Sequence, residues 1–235
     1  SKSLSASPSV SLSKSPSVSP SKSPSLSPPN SVSPSISASV SPSISVTTTL
    51  KTRFLTYLNS CLRLNGTDSP KAWNGTTWVG SGGTFDLNNI PVGSKYAIEF
   101  RDRVFVAGRN DSPDRIDISG IADSNTRTVS WTVGNLFFLA EQEDGGGGIT
   151  GLAKVPGYVL IFKKRTLKRY DGSSAFPEDM VNQGAPSQEA IVVAKGICFF
   201  INENGAWATE GGDPKKISTY TVDNIIKSCD GEDLP

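Results

Sequence analysis

The sequence predicts an all-β protein with about four repeats of a small antiparallel sheet, preceded by a low-complexity segment. Three observations lead to this prediction. Residues 1–50 contain 22 serines and eight prolines. From residue 51 onward, short apolar runs alternate with turns rich in Gly, Asn, Asp and Pro, a pattern typical of antiparallel strands. These strands recur at intervals of roughly 40 residues, the spacing expected of propeller blades.

The N-terminal segment has a regular alternation. Serine occupies every odd position from Ser1 to Ser27 and again from Ser31 to Ser45. A period of two would suit a strand, but proline recurs among the even positions and cannot donate to a sheet. The small apolar side chains bury too little area to offset the entropy of ordering the backbone. We therefore predict an extended Ser/Pro-rich linker or stalk, with an O-glycosylated stalk or a stacked fibre as alternatives.

The composition of the remaining chain excludes several functions. Residues 1–50 hold three of the 23 basic residues and no acidic ones, which leaves residues 51–235 with a net charge of −2 and no charge-based sign of nucleic-acid binding. The chain has no histidine, which excludes Ser-His-Asp and Cys-His catalysis. Cys61, Cys198 and Cys229 lack metal-ligand spacing and are expected to be free or buried thiols. No apolar run is long enough to span a membrane. We expect no cofactor and no enzymatic activity.

The best-preserved repeat begins at Gly151. It predicts strands at Gly151–Val155 and Tyr158–Phe162 and a third strand that ends at Tyr170. The turn Pro156-Gly157 joins the first two strands, and a basic turn at Lys163–Thr166 joins the second and third.

Three further stretches align with this repeat, offset successively by 42, 55 and 39 residues. The clearest match is an aromatic-[Asp/Asn]-Gly-[Ser/Thr]-[Ser/Thr] turn, found at residues 73–77 and 170–174. The four copies are Phe54–Trp78, Lys95–Ser119, Gly151–Ser174 and Gln188–Gly211.

The long second interval predicts an insertion between copies. It contains strand candidates at Thr128–Val133 and Leu136–Leu139 and a flexible stretch at Asp144–Gly148. Because one blade cannot bury both of its faces and four blades are few for a ring, we predict an open or incomplete propeller. Unrelated hairpins in a sandwich or barrel are the alternative.

These patterns divide the chain into three parts. Residues 1–50 form the linker or stalk, residues 51–219 the propeller-like β domain, and residues 220–235 a C-terminal segment. Apolar residues at helical spacing predict a short helix over Tyr220–Ser228 in this last segment.

Three stretches carry a family resemblance. They are KYAIEFRDRVFVAG at 95–108, DGGGGITGLAKVPGYVLIFKKRTLKRYDGSS at 144–174 and GAPSQEAIVVAKGICFFINENGAWATEGGDPKKIS at 184–218. In this order they resemble β-propeller structural proteins of bacteriophage virions, including tail-tube (nozzle) and head-completion proteins of short-tailed phages. The resemblance covers roughly residues 54–218 and includes no catalytic fingerprint.

The resemblance implies an architectural role in the tail or at the head–tail junction. The expected partners are portal or tail proteins and further copies of the chain in a ring. The expected function is assembly of the virion and the retention and passage of DNA. Assembly is expected to take place in the host cytoplasm.

A cluster of cations is the sharpest charge feature of the β domain. Such a cluster can contact DNA phosphates without sequence preference, or an acidic surface of a neighbouring subunit. It can equally be a solvated hairpin tip whose charges protect a sheet edge. Five cations lie within seven residues: Lys163, Lys164, Arg165, Lys168 and Arg169.

Tryptophans and acidic residues support alternative functions. Trp73, Trp78, Trp131 and Trp207 are expected to pack between blades, but a set of exposed rings can also stack on sugars. The alternative function is therefore a secreted or surface-attached propeller on a Ser/Pro stalk that binds carbohydrate. Acidic residues such as Asp111 and Asp114 are expected to be solvated, rather than to bind calcium or cleave glycosides.

Overall fold

The structure, a computed structural model, describes residues 50–79, 87, 89–123, 129–131, 136–140 and 147–228. All of them belong to one compact unit, Thr47–Pro235. Apart from Leu50, the predicted linker or stalk lies outside the described residues, as do Cys229 and the rest of the C-terminus.

The described strands form four antiparallel sheets of four strands each, and neighbouring strands in each sheet are consecutive in the chain. Sheet 1 contains β1 (Arg53–Tyr57), β2 (Ser60–Leu64), β3 (Lys71–Trp73) and β4 (Trp78–Val79). Sheet 2 contains β5 (Tyr96–Phe100), β6 (Arg103–Ala107), β7 (Arg115–Ile118) and β8 (Leu136–Leu139). Sheet 3 contains β9 (Ile149–Val155), β10 (Tyr158–Lys163), β11 (Leu167–Tyr170) and β12 (Glu178–Val181). Sheet 4 contains β13 (Ile191–Ala194), β14 (Ile197–Asn202), β15 (Gly205–Thr209) and β16 (Lys215–Lys216).

The prediction of an all-β chain with four antiparallel sheets is confirmed, and each predicted copy corresponds to one sheet. The predicted insertion is partly wrong, because Leu136–Leu139 pairs with β7 and completes sheet 2. Of the other strand candidate, Thr128–Val133, the structure describes residues 129–131, in which Val129 and Trp131 are buried. Most of the stretch Asp144–Gly148 lies outside the described residues.

The described part of the chain also contains two short helices. A 3₁₀ helix at Gln188–Ala190 leads into β13, and helix α1 spans Tyr220–Ser228, the stretch with helical spacing in the sequence. The carboxylate of Asp223 in α1 is buried, accepts a hydrogen bond from the Ser218 hydroxyl and lies 2.6 Å from the Lys216 ammonium. None of the helices in the described part of the chain is long and apolar enough to cross a membrane.

The four sheets can be aligned in sequence on the tight turn between their first two strands. These turns begin at Leu58, Arg101, Pro156 and Lys195, so successive offsets are 43, 55 and 39 residues. The first offset is one residue longer than predicted, because the connection from Leu58 to Trp73 is one residue longer than that from Pro156 to Tyr170. In this alignment the two faces of a sheet are distinguished by position. The N-face carries the residues that pack on the preceding sheet in sheets 2, 3 and 4, and the C-face carries those that pack on the next sheet in sheets 1, 2 and 3.

Three hydrophobic cores join the four sheets in chain order. Each core combines C-face residues of one sheet with N-face residues of the next, at the same aligned positions. The first combines Leu55, Leu62 and Leu64 with Ala97, Val104 and Val106. The second combines Ile98, Phe105 and Ala107 with Leu152, Val159 and Ile161. The third combines Ala153, Leu160 and Phe162 with Ile191, Cys198 and Phe200.

The matched aromatic-Gly turns at 73–77 and 170–174 have the same geometry. The Asn74 side-chain oxygen accepts hydrogen bonds from the backbone amides of Thr76 and Thr77, both at 2.9 Å. Asp171 accepts bonds from the amides of the two serines that follow its glycine, also at 2.9 Å. Hydrogen bonds from these serines hold the pKa of the Asp171 carboxyl well below its usual range. Each turn begins at the last residue of the third strand of its sheet.

Three of the four hairpin turns use left-handed residues other than glycine, which provides a stability test. Lys195 has φ of +52° and precedes Gly196, whose φ is +82°. Positive φ at both central residues defines a type I′ turn, for which Asn-Gly is the favoured pair. We expect Lys195→Asn to raise the free energy of unfolding by about 0.5–1 kcal/mol in urea titrations followed by tryptophan fluorescence.

Lys195→Pro is the matched control, because the proline ring fixes φ near −65° and cannot adopt the turn. It should destabilise the protein at the same exposed position. A Lys195→Asn variant no more stable than the parent protein would contradict this account of the turn.

Candidate functional surfaces

The structure separates the five clustered cations, and Lys163 is the most deeply buried of them. Lys163 is the last residue of β10, and its side chain is 2 % exposed. Its ammonium lies 2.8 Å from an Asp114 carboxylate oxygen and donates a hydrogen bond to the Ala140 carbonyl at 3.0 Å. Both partners flank strands of sheet 2, so Lys163 ties sheet 3 to sheet 2 and does not reach the surface.

Lys168 and Arg169 are also engaged within the protein. The buried Lys168 ammonium pairs with Asp179 of β12. The Arg169 guanidinium lies 2.8 Å from Glu178, donates to the Gly211 carbonyl at 2.8 Å and lies over the Tyr158 ring. These contacts fasten β11 to the edge strand β12, and Arg169 also joins sheet 3 to sheet 4.

Lys164 and Arg165 remain exposed at the tip of the hairpin between β10 and β11. The exposed basic surface therefore contains two of the five cations that are clustered in the sequence. Contact of this tip with DNA or with a neighbouring subunit stays a prediction.

The position of Lys163 leads to a stability test. Lys163→Met removes a buried cation and leaves the Ala140 carbonyl without its donor, so we expect a loss of about 1–3 kcal/mol of unfolding free energy. Lys164→Met, at the adjacent exposed position, should change stability by less than about 0.5 kcal/mol. Urea denaturation of both variants measures the difference. Equal effects of the two substitutions would show that the Lys163 ion pair does not hold the sheets together.

Asp111 and Asp114, the acidic residues considered as ligands, are paired with cations, as is the neighbouring Asp117. Asp111 pairs with Arg109, Asp114 pairs with Lys163, and the buried Asp117 lies 2.6 Å from Arg115. Within the described ranges, no group of three or more His, Cys, Asp or Glu side chains is placed to hold a metal ion. The acidic side chains of this region therefore act as structural counter-ions.

The two described cysteines are free thiols in different surroundings. Cys198 is buried in the third core, and burial raises the pKa of its thiol to about 12. Cys61 is partly exposed on the N-face of sheet 1, which has no sheet before it among the described residues. Only Cys61 of this pair can react readily in the folded protein.

An aromatic cluster occupies the uncovered N-face of sheet 1. The ring centroids of Trp73 and Trp78 are 5.6 Å apart, and those of Phe54 and Trp78 are 6.3 Å apart. With Cys61 they line a shallow cleft of about 220 Å³. Phe54 is 60 % and Trp78 is 44 % exposed. By contrast, Trp131 and Trp207 pack in the first and third cores, as expected of tryptophans between sheets.

Among the described residues, no sheet covers the C-face of sheet 4, which is a second exposed apolar surface. Val192 is 60 % exposed and Ile201 38 %, and Phe199 lies between them, partly exposed. Ala208 and Ala206 pair with Phe199 and Ile201 and extend the same face. The sequence contains a signal for this surface. The run Ile197-Cys-Phe-Phe-Ile201 is apolar at every position, as in a strand that is covered on both faces.

A larger cleft of about 450 Å³ lies beside the first strands of the sheets, and its lining includes the charged side chains of Arg53 and Glu189. Arg53 forms an ion pair with Glu189 and lies over the Tyr96 ring at 4.9 Å. Lys51 also pairs with Glu189, at 3.3 Å. The cleft therefore presents a compensated ion-pair network.

The geometry thus describes an all-β protein with two uncovered apolar sheet faces. No protein family and no curated protein matches this chain. Among solved structures, the chain is similar to the computationally designed Ika8 protein, with 14 % identity and a TM-score of 0.46. The match covers 70 % of this chain and 47 % of the designed one, so the chain spans about half the length of that structure. A likeness this distant carries no argument about function.

Proposed function

We propose that this chain is a non-enzymatic structural protein of a bacteriophage virion. It acts in the tail or at the head–tail junction, in assembly and in the retention or passage of DNA. The observation that carries the proposal is the pair of uncovered apolar faces on sheets 1 and 4, because extended apolar patches mark surfaces that bind other proteins. The virion assignment itself is supported by the resemblance of residues 95–108, 144–174 and 184–218 to phage propeller proteins.

The proposal includes an open propeller in which each sheet is one blade. Three features support it. Each sheet is a meander of four consecutive strands. The first strands β1, β5, β9 and β13 contact one another in succession, as the innermost strands of blades do. Successive sheets also pack face to face through the same aligned positions.

The proposed partners are portal or tail proteins and further copies of the chain in a ring. The proposal assigns non-specific DNA contact to the exposed Lys164 and Arg165. A structural role agrees with the use of the ionisable groups in the sheets, since Lys163, Lys168 and Arg169 are engaged in ion pairs.

Immunogold electron microscopy of phage particles tests the virion assignment. An antibody raised against the full chain should label purified particles at the tail or the head–tail junction. The same antibody, pre-absorbed with the protein, is the control and should leave the particles unlabelled. Particles that contain none of the protein, by labelling and by mass spectrometry, would refute the virion role whatever the oligomeric state of the isolated chain.

Carbohydrate binding is the second candidate, and the exposed cluster of Phe54, Trp73 and Trp78 favours it. Aromatic rings in a shallow cleft offer flat apolar surfaces on which a sugar ring can stack. On a glycan array the full chain should then retain specific glycans, and Trp78→Ala should lose them. Phe176→Ala, which removes a more exposed ring outside the cluster, is the matched control and should bind normally. Retention of no glycan by the parent protein would eliminate this candidate.

A further inference from the structure

The uncovered face of sheet 4 consists of residues that are equivalent to core residues of the other sheets. In the alignment by hairpin turns, Phe199 corresponds to Leu62, Phe105 and Leu160, which are all at most 1 % exposed. Ile201 corresponds to Leu64, Ala107 and Phe162, which are also buried. In sheets 1, 2 and 3 these positions are covered by the N-face of the next sheet. The C-face of sheet 4 therefore has the composition of half a core.

The uncovered face of sheet 1 supplies the other half. Phe54 corresponds to Ala97, Leu152 and Ile191, and Cys61 corresponds to Val104, Val159 and Cys198. In sheets 2, 3 and 4 the residues at these positions pack on the C-face of the preceding sheet. Sheet 1 has no preceding sheet among the described residues, and its N-face exposes Phe54 and Trp78.

We propose that the C-face of sheet 4 binds the N-face of sheet 1 of a second copy, so that copies of this chain join head to tail. The contact continues the interface that already occurs three times within the chain, with Phe199 and Ile201 packing against Phe54 and Cys61 of the second copy. The inference rests on the self-association included in the proposed function and names the surface through which it occurs.

One occupant is favoured because a single chain carries both complementary halves. A contact between two different patches is heterologous, and it produces a ring when the rotation closes and a filament when it does not. The aligned positions also specify the direction of the contact, since C-face to N-face is the pairing in all three cores. Pairing of two C-faces or of two N-faces would break this rule.

Two charge substitutions test the contact, one on each face. The full chain, measured by size-exclusion chromatography with light scattering, should form assemblies larger than a monomer. Ile201→Asp and Phe54→Asp each place a carboxylate in the proposed core, and each should yield monomers. Ile121→Asp, at a 63 % exposed apolar residue outside both faces, is the matched control and should assemble like the parent protein.

Mixing the two variants gives the sharpest result. The Phe54→Asp copy retains an intact sheet 4, and the Ile201→Asp copy retains an intact sheet 1. Together they should form one productive contact, a 1:1 dimer of twice the monomer mass that does not grow further. If either variant keeps the parent's size, or if the mixture stays monomeric, the head-to-tail contact is wrong. Val192→Asp, at a 60 % exposed position on the same C-face, replaces Ile201→Asp if circular dichroism shows that variant to be unfolded.

Cys61 reports on the same contact independently. In a Cys229→Ser background, a maleimide should label Cys61 at least tenfold more slowly in the assembled protein than in the Phe54→Asp monomer, because the proposed contact covers it. Cys198 should stay unlabelled in both, since its thiol is buried, and this shows that both proteins are folded. A parent protein that is monomeric at every concentration, with Cys61 fully reactive, would overturn the inference while leaving the virion assignment to the immunogold test.

Discussion

A four-stranded sheet that is apolar on both faces must be covered on both faces, and the rest of this structure depends on that constraint. Sheets 2 and 3 meet it within the chain, since each has a neighbour on either side. Their central strands β6 and β10 are consequently apolar at nearly every position. Sheets 1 and 4 meet the constraint on one face alone among the described residues. The uncovered faces are therefore a consequence of the repeat, and they support an assembly role more directly than any charged group does.

Ion pairs between and within sheets are the second determinant of the structure. The Lys163 ammonium is withdrawn from water, forms an ion pair with Asp114 and donates a hydrogen bond to the Ala140 carbonyl. In such an arrangement one charge without the other would be costly. A more exposed pair, Lys154 of sheet 3 with Glu99 of sheet 2, also joins these two sheets. Because such contacts need specific geometry, they fix how one sheet is placed on the next, whereas apolar packing alone tolerates more than one arrangement.

The sequence predicted features that depend on local interactions. The hairpin around Pro156-Gly157 and the two aromatic-Gly turns follow from residues close in the chain, and the structure confirms their positions. The short fourth strands β4 and β16, of two residues each, carry too little pattern to be recognised. The sequence pattern places Lys163 in a turn and so does not predict its burial, whereas in the structure it is the last residue of β10. Alternation with Val159 and Ile161 places it on the N-face once β10 is extended by one residue.

The consecutive strand order of the four sheets has a consequence for folding kinetics. Every described strand pairs with a neighbour in the chain, so most pairings close a short loop and cost little chain entropy. The exception is the long connection between β7 and β8. Proteins dominated by such local contacts fold faster than sandwiches built from distant strands. Because each sheet contacts mainly the sheets beside it, folding can begin at the best-packed pair and extend outwards, as in repeat proteins. The end sheets pack on one neighbouring sheet each among the described residues, so we expect them to open before the central ones.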